Sequence, residues 1–399
     1  MRDPIAARVR AFGTTVFTRF SALAAEHKAV NLGQGFPDFD GPAEVAEAAA
    51  RALRDGPNQY APLFGLPVLR EAIAEHADRF WQHRISASDV CVTSGCTEAL
   101  FDALTGLLEP GDECVLFEPF YDSYAAAASL AGATIRGVLL HPPDATHAAF
   151  WFDDAALAAA FTAKTKLILV NTPHNPTGKV FTRAELERIA ALCQQHDVIA
   201  VTDEVYEHLV YDGRAHTRLA ALPGMRERTL TLSSAGKTFS FTGWKIGWAI
   251  APPALLKAVS ATHQWVTFAT SSPLQAAIAH ALRLPDSFFT GLTRDYTARR
   301  DRMLSALSAA GLRAHAPEGS YFILADIAGR ADHHGEPFTN DEEFCTWLTQ
   351  HVGVAAIPPS SFYLPEHKLH GERFARFAFC KTDAVLDEAA RRLEKLAQR

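Results

Sequence analysis

The sequence predicts an α/β fold, with a large domain that has a mostly parallel central sheet flanked by helices, and a smaller α+β domain. Short apolar runs of strand length alternate with helical patterns between about residues 90 and 250, which is typical of a parallel sheet. With 399 residues, the chain also exceeds the length at which one hydrophobic core stops growing. We therefore expect a large domain over residues 43–285 and a small domain built from both chain ends, residues 1–42 and 286–399.

Helical periodicity predicts helices over residues 43–54, 65–80 and 182–195, because apolar side chains recur on one face of each. Two β-branched runs, residues 166–171 and 198–203, predict strands that are buried on both faces, since their apolar residues are continuous instead of alternating. Near the C-terminus, the alternation in RFARFAF predicts a further strand.

Composition and charge exclude several classes of protein. The chain is 48% hydrophobic and 21% charged, as in ordinary globular proteins. Its net charge of -7 comes without a basic stripe, so we expect neither nucleic acid nor a membrane surface as a partner. The six cysteines are scattered and have no histidine at zinc spacing, which predicts no disulfide scaffold and no metal site. With no signal-peptide pattern and no apolar run of spanning length, we expect a cytoplasmic protein.

Three successive apolar strands each end in polar residues of a different kind: LILVNTPHNPTG, VIAVTDEVY and TLTLSSAGK. Ligands of open parallel sheets bind at the carboxyl ends of the strands. Polar side chains far apart in sequence are therefore expected to face one cleft. Taken singly, each has an ordinary structural explanation, such as a solvated lysine or a carboxylate at a helix start. The set consists of Asn175, Asp203, Tyr206, Ser234 and Lys237.

These motifs, NTPHNPTG, TDEVYEHLVYDG and SSAGKTFSFTGWKIGW, resemble those of the class I aminotransferases of pyridoxal-phosphate fold type I. Other blocks, such as NLGQGFPDFDGP, NQYAPLFGLPVLREAI, VTSGCTEAL and FEPFYDSY, occur in the family's order, so the resemblance covers nearly the whole chain. Within the family, GQGFPDF, the lysine block and HQWVTF are most similar to the methionine, kynurenine and glutamine-phenylpyruvate aminotransferase branch.

The resemblance implies a pyridoxal 5'-phosphate cofactor held as an imine by Lys237, and amino-group transfer by a ping-pong mechanism. The freed lysine amine would then move the proton at the substrate's Cα. Asp203 would face the pyridine nitrogen, Tyr206 and Asn175 would hydrogen-bond the ring hydroxyl, and Tyr121 would stack on the ring. An aromatic residue such as Tyr121 is also common in plain core packing.

The resemblance also implies a phosphate site made of backbone amides, a hydroxyl and a cation, as a dianion requires. Its residues would be Gly95, Cys96, Thr97, Ser234 and Lys245, with Cys96 acting through its backbone and not as a nucleophile. Tyr60 resembles the tyrosine that reaches the phosphate of a neighbouring subunit. A homodimer with shared active sites is therefore expected.

For the substrate, the family motif favours Arg376 over Arg373 as the residue that binds the α-carboxylate, since a guanidinium suits bidentate binding. Gly35 and Asn175 would complete that carboxylate site. Apolar residues at the side-chain positions favour large hydrophobic, thioether or aromatic donors with overlapping specificity. Methionine and the aromatic amino acids lead, followed by kynurenine and glutamine. These positions are Phe17, Phe36, Tyr60 and Phe268.

Two alternatives remain open from the sequence. A lyase acting on cysteine S-conjugates would share every cofactor residue and differ only after the Cα proton is removed. A non-catalytic binding protein on the same fold would not need Lys237, which is present. Because the family-like blocks begin near the start of the given sequence, we expect no DNA-binding extension before the fold.

Overall fold

The computed structural model describes residues 4–10 and 12–397 of the chain. The elements described before the central sheet are α1 (Ala7–Arg10), α2 (Val16–Glu26), β1 (Val30–Asn31), α3 (Ala43–Asp55) and α4 (Pro67–Trp81). The hydroxyl of Thr15 caps α2 by accepting a hydrogen bond from the backbone N–H of Thr18. Residues 32–42, between β1 and α3, form neither helix nor strand.

A seven-stranded sheet lies at the centre, in the order β2-β8-β7-β6-β5-β3-β4. β8 pairs antiparallel with β2 and β7, whereas the other neighbouring strands pair parallel. The sheet is therefore mostly parallel. Its strands are β2 (Val90–Thr93), β3 (Glu113–Glu118), β4 (Thr134–Leu139), β5 (Thr165–Asn171), β6 (Ile199–Asp203), β7 (Thr229–Ser234) and β8 (Gly247–Ile250).

Helices cover both faces of this sheet, as the alternating side chains of β5 show. Ile168 and Val170 belong to a buried cluster with residues of α7 and α8, while Leu167 and Leu169 pack with residues of α5, α6 and α10. Both faces of β5 are therefore apolar, as its continuous hydrophobic run predicts. The helices are α5 (Cys96–Leu107), α6 (Asp122–Leu130), α7 (Asp154–Ala160), α8 (Arg183–His196), α9 (Ala235–Thr238), α10 (Pro253–Val266) and α11 (Ser272–Ala281).

The C-terminal part forms a second, smaller sheet in the order β12-β10-β9, with antiparallel pairing. β11 pairs parallel with β1 of the N-terminal part, so the two ends of the chain meet. The elements are α12 (Asp286–Ala309), β9 (Arg313–Ala314), β10 (Phe322–Asp326), α13 (Asp341–Trp347), β11 (Val354–Ala355), β12 (Phe374–Ala378) and α14 (Asp383–Ala397).

Short helices of other types complete the described elements. A π-helical turn, Leu348–Val352, continues α13. The 3₁₀ helices are Ala87–Asp89, Leu219–Ala221, Arg226–Arg228, Thr242–Trp244, Pro359–Phe362 and Pro365–His370.

The predicted elements agree closely with the structure. The helix predicted from residue 65 begins at Pro67, because Leu66 is its extended N-cap and proline suits the first helical position. The helix predicted from residue 182 begins one residue later, because Thr182 is its N-cap. RFARFAF does form a strand, β12. All five residues of β12 are buried, so the alternation in the sequence does not mark one solvent-exposed face.

The predicted fold class is confirmed: an α/β chain with a mostly parallel, helix-flanked central sheet. The domain boundaries, residues 43–285 against 1–42 and 286–399, stay a prediction. None of the helices in the described ranges is both long and apolar enough to span a bilayer.

Candidate active site

The carboxyl ends of three neighbouring strands bring the polar residues of the motifs together. β5 and β6 are in register at Asn171 and Asp203, and β6 and β7 are in register at Asp203 and Leu232. Lys237 follows in α9, directly after β7. Residues separated by more than sixty positions in the sequence therefore lie at one edge of the sheet, as the strand-end argument predicts.

A cavity of about 390 Å³ opens at this edge. It is lined by all the predicted site residues except Tyr60 and Phe268. The predicted residues that line it are Phe17, Gly35, Phe36, Gly95, Cys96, Thr97, Tyr121, Asn175, Asp203, Tyr206, Ser234, Lys237, Lys245 and Arg376.

Lys237 is the amine at the centre of the cavity. Its Nζ donates a hydrogen bond to the carbonyl oxygen of Gly35, at 3.1 Å. Burial lowers the pKa of Lys237, although the charge of Asp203 acts in the opposite direction. A lowered pKa increases the fraction of neutral amine, which is the form that can act as a nucleophile or take up a proton.

Asp203 is a buried carboxylate with neutral hydrogen-bond donors. Tyr124 Oη donates to its Oδ2 at 2.7 Å, and the backbone N–H of Val205 donates to its Oδ1 at 3.2 Å. Burial raises the pKa of Asp203, and these hydrogen bonds, with that of the Cys96 thiol, only partly oppose this effect. A cationic group in the cavity would stabilise the charged carboxylate, which suits a protonated pyridine nitrogen.

Cys96 lies beside Asp203. Burial and the neighbouring carboxylate raise the pKa of this thiol well above its ordinary value. A thiol that stays protonated is a poor nucleophile. The geometry thus agrees with a backbone role for Cys96, and it adds a side-chain contact to Asp203 that sequence reasoning did not predict.

The first turn of α5 provides a site for a phosphate group. Gly95 is the N-cap of this helix and has φ 82°, a conformation that glycine adopts without strain. A Cβ atom at Gly95 would lie 3.2 Å from Lys245 Nζ, so the lysine ammonium is next to the helix start. Backbone amides at a helix N-terminus, a cation and the hydroxyl-bearing Ser234 form a donor set that matches a phosphate dianion.

Arg376 is a further cation that lines the cavity, and it is almost fully buried, with 1% exposure. Nη1 donates to Asn175 Oδ1 at 3.0 Å, and Nη2 donates to the carbonyl oxygen of Gly33 at 2.7 Å. Burial lowers the pKa of Arg376 to about 10. Since each terminal nitrogen has two hydrogens, one on each is left for another acceptor.

Three aromatic rings surround the Arg376 guanidinium. Its central carbon lies 4.2 Å from the ring centroid of Phe322, 5.1 Å from that of Phe17 and 5.2 Å from that of Phe362. Among the described residues, Arg376 forms no ion pair with a carboxylate. In contrast, Arg373, the sequence competitor, pairs with Asp326 and is half exposed. Arg376 is thus a buried cation whose anionic partner would have to enter the cavity.

The segment that follows β1 closes the cavity above Lys237. Asn31 Oδ1 accepts hydrogen bonds from the backbone N–H groups of Gly33 and Gln34 at 3.0 and 3.2 Å, which fixes the turn. A Cβ atom at Gly35 would lie only 2.5 Å from the ring of Phe322. This close approach requires glycine, and it lets the carbonyl oxygen of Gly35 reach Lys237.

Tyr206 and Asn175 line the same cavity as Lys237 and Arg376. The ring of Tyr206 packs edge-on against that of Tyr321, with 5.0 Å between the centroids. The backbone N–H of Asn175 donates to Asn171 Oδ1 at 2.7 Å, and this bond orients the loop after β5. Both side chains are therefore held in place by the protein before any ligand binds.

Tyr60 and Phe268 lie on the surface, outside the cavity of their own chain. Their side chains are 84% and 44% exposed, and their rings meet edge-to-face with 5.6 Å between the centroids. Any contribution from these two residues would have to be made to a second copy of the chain.

Sequence reasoning missed several residues of the cavity. Tyr124 was predictable in principle, since it follows Tyr121 by three positions in FEPFYDSY and so lies one helical turn further along. Phe322 had no local signal, because its position in the site depends on the pairing of β10 with β12. The other missed lining residues are Gln34, Leu100, Val205, Gly236, Thr242 and Ile246.

The profile of the class I and II aminotransferases matches residues 27–393. The chain is 41% identical to mouse kynurenine--oxoglutarate transaminase 3, with 96% of this chain and 88% of the mouse protein aligned. It is also 41% identical to the methionine aminotransferase of Escherichia coli K12, with 96% of each chain aligned. The solved structure of N-succinyldiaminopimelate aminotransferase from Mycobacterium tuberculosis superimposes with a TM-score of 0.93 at 44% identity, covering 98% of this chain and 100% of that one.

Proposed function

This chain belongs to the class I and II aminotransferases, which depend on pyridoxal phosphate, and from that premise we propose that it transfers the amino group of a large hydrophobic, thioether or aromatic L-amino acid to a 2-oxo acid. Methionine is the leading donor. The observation that carries the proposal is Arg376, a buried cation without a carboxylate partner among the described residues, set among aromatic rings at the cavity.

The residues of the cavity fit pyridoxal phosphate at both of its charged ends. The first turn of α5, with Ser234 and Lys245, would hold the phosphate, and Asp203 would hold the protonated ring nitrogen. When bound, the cofactor supplies an electron sink for the bond that breaks at the substrate's Cα.

Lys237 anchors the cofactor and handles the proton at the substrate's Cα. Burial lowers the pKa of its amine, so the amine reaches its neutral, proton-accepting form more readily than an exposed lysine. Its carbonyl partner, Gly35, accepts from Nζ at 3.1 Å. This contact keeps the amine within the cavity while it carries the proton.

The cofactor that Lys237 would hold is oriented and polarised by Asp203, Tyr206 and Asn175. Because Asp203 is buried, its attraction for a cation is much stronger than that of an exposed pair. Tyr124 holds its carboxylate in position through the 2.7 Å hydrogen bond. Tyr206 and Asn175 supply hydrogen-bonding groups for an oxygen on the cofactor ring.

Arg376 binds the α-carboxylate that every amino donor and 2-oxo acid carries. The hydrogens left on its terminal nitrogens suit bidentate binding, and the rings of Phe17 and Phe322 exclude water around it. Asn175 Oδ1 fixes the plane of the guanidinium. Gly35, which can bear no side chain here, leaves room for the substrate backbone.

The lining of the cavity supports a donor with an uncharged side chain. Its cations among the described residues are Lys237, Lys245 and Arg376. All three are assigned to the cofactor or the α-carboxylate, which leaves none in this chain for a side-chain carboxylate. Phe17 and Phe36 add apolar surface, and the relatives named for methionine and kynurenine agree with such donors.

We also propose a homodimer with shared active sites. Tyr60 and Phe268 form an exposed aromatic pair, with exposures of 84% and 44%, and Trp265, three positions before Phe268, is 84% exposed as well. Large exposed apolar patches are characteristic of interaction surfaces. Tyr60 would then reach the partner's phosphate site, as the resemblance implies, and Phe268, which packs on Tyr60, would lie at the same interface. A cytoplasmic location stays a prediction from composition.

The test is a panel of amino donors against several 2-oxo acids, with wild type, Lys237→Ala and the surface control Lys257→Ala. We expect the highest kcat/KM for methionine and aromatic donors, unchanged turnover in Lys257→Ala and none in Lys237→Ala. Preference for aspartate or N-succinyldiaminopimelate would contradict the substrate proposal. Pyruvate and ammonia formed from a cysteine S-conjugate without a 2-oxo acid would favour the lyase.

A further inference from the structure

A buried group of charged side chains lies directly behind the phosphate-binding turn. It consists of Glu98 and Asp102 of α5 and His263 of α10, all buried. None of the three lines the cavity, and the mechanism above uses none of them. Buried charges are costly unless they are paired, so the arrangement calls for an explanation.

Glu98 connects the phosphate-binding turn to α10. One carboxylate oxygen accepts a hydrogen bond from the backbone N–H of Ser94, the residue before Gly95. The other accepts from His263 Nδ1 at 3.0 Å and from the hydroxyl of Thr267. The side chain of Glu98 thus joins the phosphate-binding turn to the C-terminal end of α10.

His263 is buried in the last turn of α10, where its Nδ1 lies 3.0 Å from Glu98 and 3.7 Å from Asp102. Burial alone would lower the pKa of His263, but the hydrogen bond and charge of Glu98, the charge of Asp102 and the carbonyl of Leu63 together raise it. Nδ1 of the ring bonds Glu98, whereas Nε2 has no hydrogen-bond partner among the described residues. Because a carboxylate can only accept, Nδ1 is the protonated nitrogen of this contact.

The segment around Leu63 is itself firmly tied. The carbonyl oxygen of Phe64 accepts from the backbone N–H of Val92 at 3.1 Å. Gln275 Oε1 accepts from the backbone N–H of Leu66 at 2.7 Å, and Ser272 Oγ donates to the carbonyl oxygen of Gln59 at 2.6 Å. These bonds hold the segment in place and leave Tyr60 at its exposed end.

The same histidine also fixes the aromatic partner of Tyr60. The backbone N–H of Phe268 donates to the carbonyl oxygen of His263 at 2.9 Å, and Phe268 has φ 64°, a conformation that is strained for a residue with a side chain. The ring of Phe268 then packs edge-to-face on Tyr60. Thr267, whose hydroxyl bonds Glu98, directly precedes Phe268, so the contact between Phe268 and Tyr60 connects the surface aromatic pair to Glu98 and His263.

We propose that Glu98 and His263 are a positioning pair that ties the phosphate-binding turn of one protomer to the Tyr60 segment that it offers to its partner. The pair would align two contacts to phosphate. One is the phosphate-binding turn in the protomer's own active site, and the other is Tyr60 in the active site of its partner. This inference rests on the shared dimeric site proposed above.

The affinity of the apoenzyme for pyridoxal 5'-phosphate tests the pair, measured by fluorescence titration without substrate. Glu98→Gln removes the charge with little change of shape, and we expect the dissociation constant to rise about ten-fold, as for loss of a hydrogen bond to a charged group. Asp102→Asn is the matched control, since Asp102 lies 3.7 Å from the same ring without a hydrogen bond. The affinity of Asp102→Asn for pyridoxal 5'-phosphate should stay within about two-fold of wild type.

Wild-type affinity in Glu98→Gln would overturn the inference and leave the proposed function intact. An equal loss in Glu98→Gln and Asp102→Asn would also overturn it, because the effect would then be a general loss of core stability. Thermal unfolding of each variant identifies any that do not fold. If Glu98→Gln does not fold, His263→Gln breaks the same hydrogen bond and takes its place.

A double-mutant cycle with Tyr60→Phe tests the link between the two sites. If Glu98 acts partly through Tyr60, the fold-loss of affinity in the double variant will be smaller than the product of the single losses. A strictly multiplicative loss would overturn the coupling. If Tyr60→Phe alone binds the cofactor as wild type does, the shared site of the proposed function fails, and Glu98→Gln still reports on its own phosphate-binding turn.

Discussion

Arg376 shows how a single residue can carry an inference about the substrate. A buried guanidinium loses its hydration, and burial lowers the pKa of Arg376 to about 10. Its hydrogen-bond partners, Asn175 and Gly33, are neutral oxygens, so they do not cancel its charge. An incoming carboxylate would neutralise that charge. Because burial disfavours the unpaired guanidinium, binding of the carboxylate is favoured.

Replacing Arg376 with lysine should lower kcat/KM for methionine by about 100-fold, because a point charge cannot form the bidentate contact. We expect most of this loss as an increase in KM, since the carboxylate is bound in both ground and transition states. Steady-state kinetics measure it. Arg373→Lys is the control and should behave as wild type, since Arg373 pairs with Asp326 at the surface. Equal effects of the two changes would refute the assignment.

At the same scale, the sequence pattern around the two arginines did not show which of them binds the substrate carboxylate. Both Arg373 and Arg376 occur in RFARFAF, and arginine is usually exposed. Only the family motif favoured Arg376. The structural reason for the difference is the pairing of β12 with β10, which places Arg376 opposite Leu324 in a fully buried strand, and such long-range pairing is not visible in local sequence.

At the scale of elements, α8 shows a helix start that the sequence does predict. The Thr182 hydroxyl accepts from the backbone N–H of Glu185 at 3.2 Å, and the carboxylate of Glu185 accepts from the backbone N–H of Thr182 at 2.8 Å. This capping box stabilises the first turn. The other oxygen of Glu185 accepts from the buried ammonium of Lys179 at 2.7 Å, which ties the helix to the loop after β5.

Loss of the charge at Glu185 should therefore destabilise the protein more than loss of an exposed charge on the same helix. Glu185→Gln leaves Lys179 buried without its counter-ion, and we expect a cost of about 3 kcal/mol. Glu187→Gln, in the exposed pair with Arg183, should cost less than about 1 kcal/mol. The midpoints of urea unfolding of the two variants provide the comparison. Equal midpoints would contradict the importance of the Lys179 pair.

The elements were predictable where local chemistry determines them. The continuous apolar runs of β5 and β6 and the threonine cap of α8 are local signals. Strand order is not local. β8 enters between β2 and β7 with antiparallel pairing on both sides, and nothing in its four residues indicates this. Local patterns thus predict the presence of an element better than its neighbours.

At the scale of the whole molecule, the cavity requires both ends of the chain. Phe17 and Gly35 come from the N-terminal part, Lys237 from α9, which follows β7 of the central sheet, and Arg376 from the C-terminal part. The parallel pair of β1 and β11 brings the two ends together. The strand-end argument predicted only the part of the site that lies on the central sheet. The remainder depends on contacts between distant segments, which no single motif specifies.

Assembly is the property that the sequence indicated only through resemblance. Tyr60 lies outside the cavity of its own chain, and its ring is exposed except where it meets Phe268. If Tyr60 serves the partner's phosphate, each active site contains residues from two chains. In such a two-fold dimer, Tyr60 of one chain would lie in the active site built on Lys237 of the other, so two inactive chains would complement each other.

We therefore predict that mixing Lys237→Ala with Tyr60→Ala restores activity. In a hybrid dimer, the site built on the Lys237-bearing chain receives an intact Tyr60 from the other chain, while the second site lacks both residues. Random exchange makes half of the dimers hybrids, each with one complete site, so turnover should recover to about a quarter of wild type. The measurement is activity after joint unfolding and refolding of equal amounts. If Tyr60 acts within its own chain, neither site of the hybrid is complete, and the mixture will show only the average of the two parent activities.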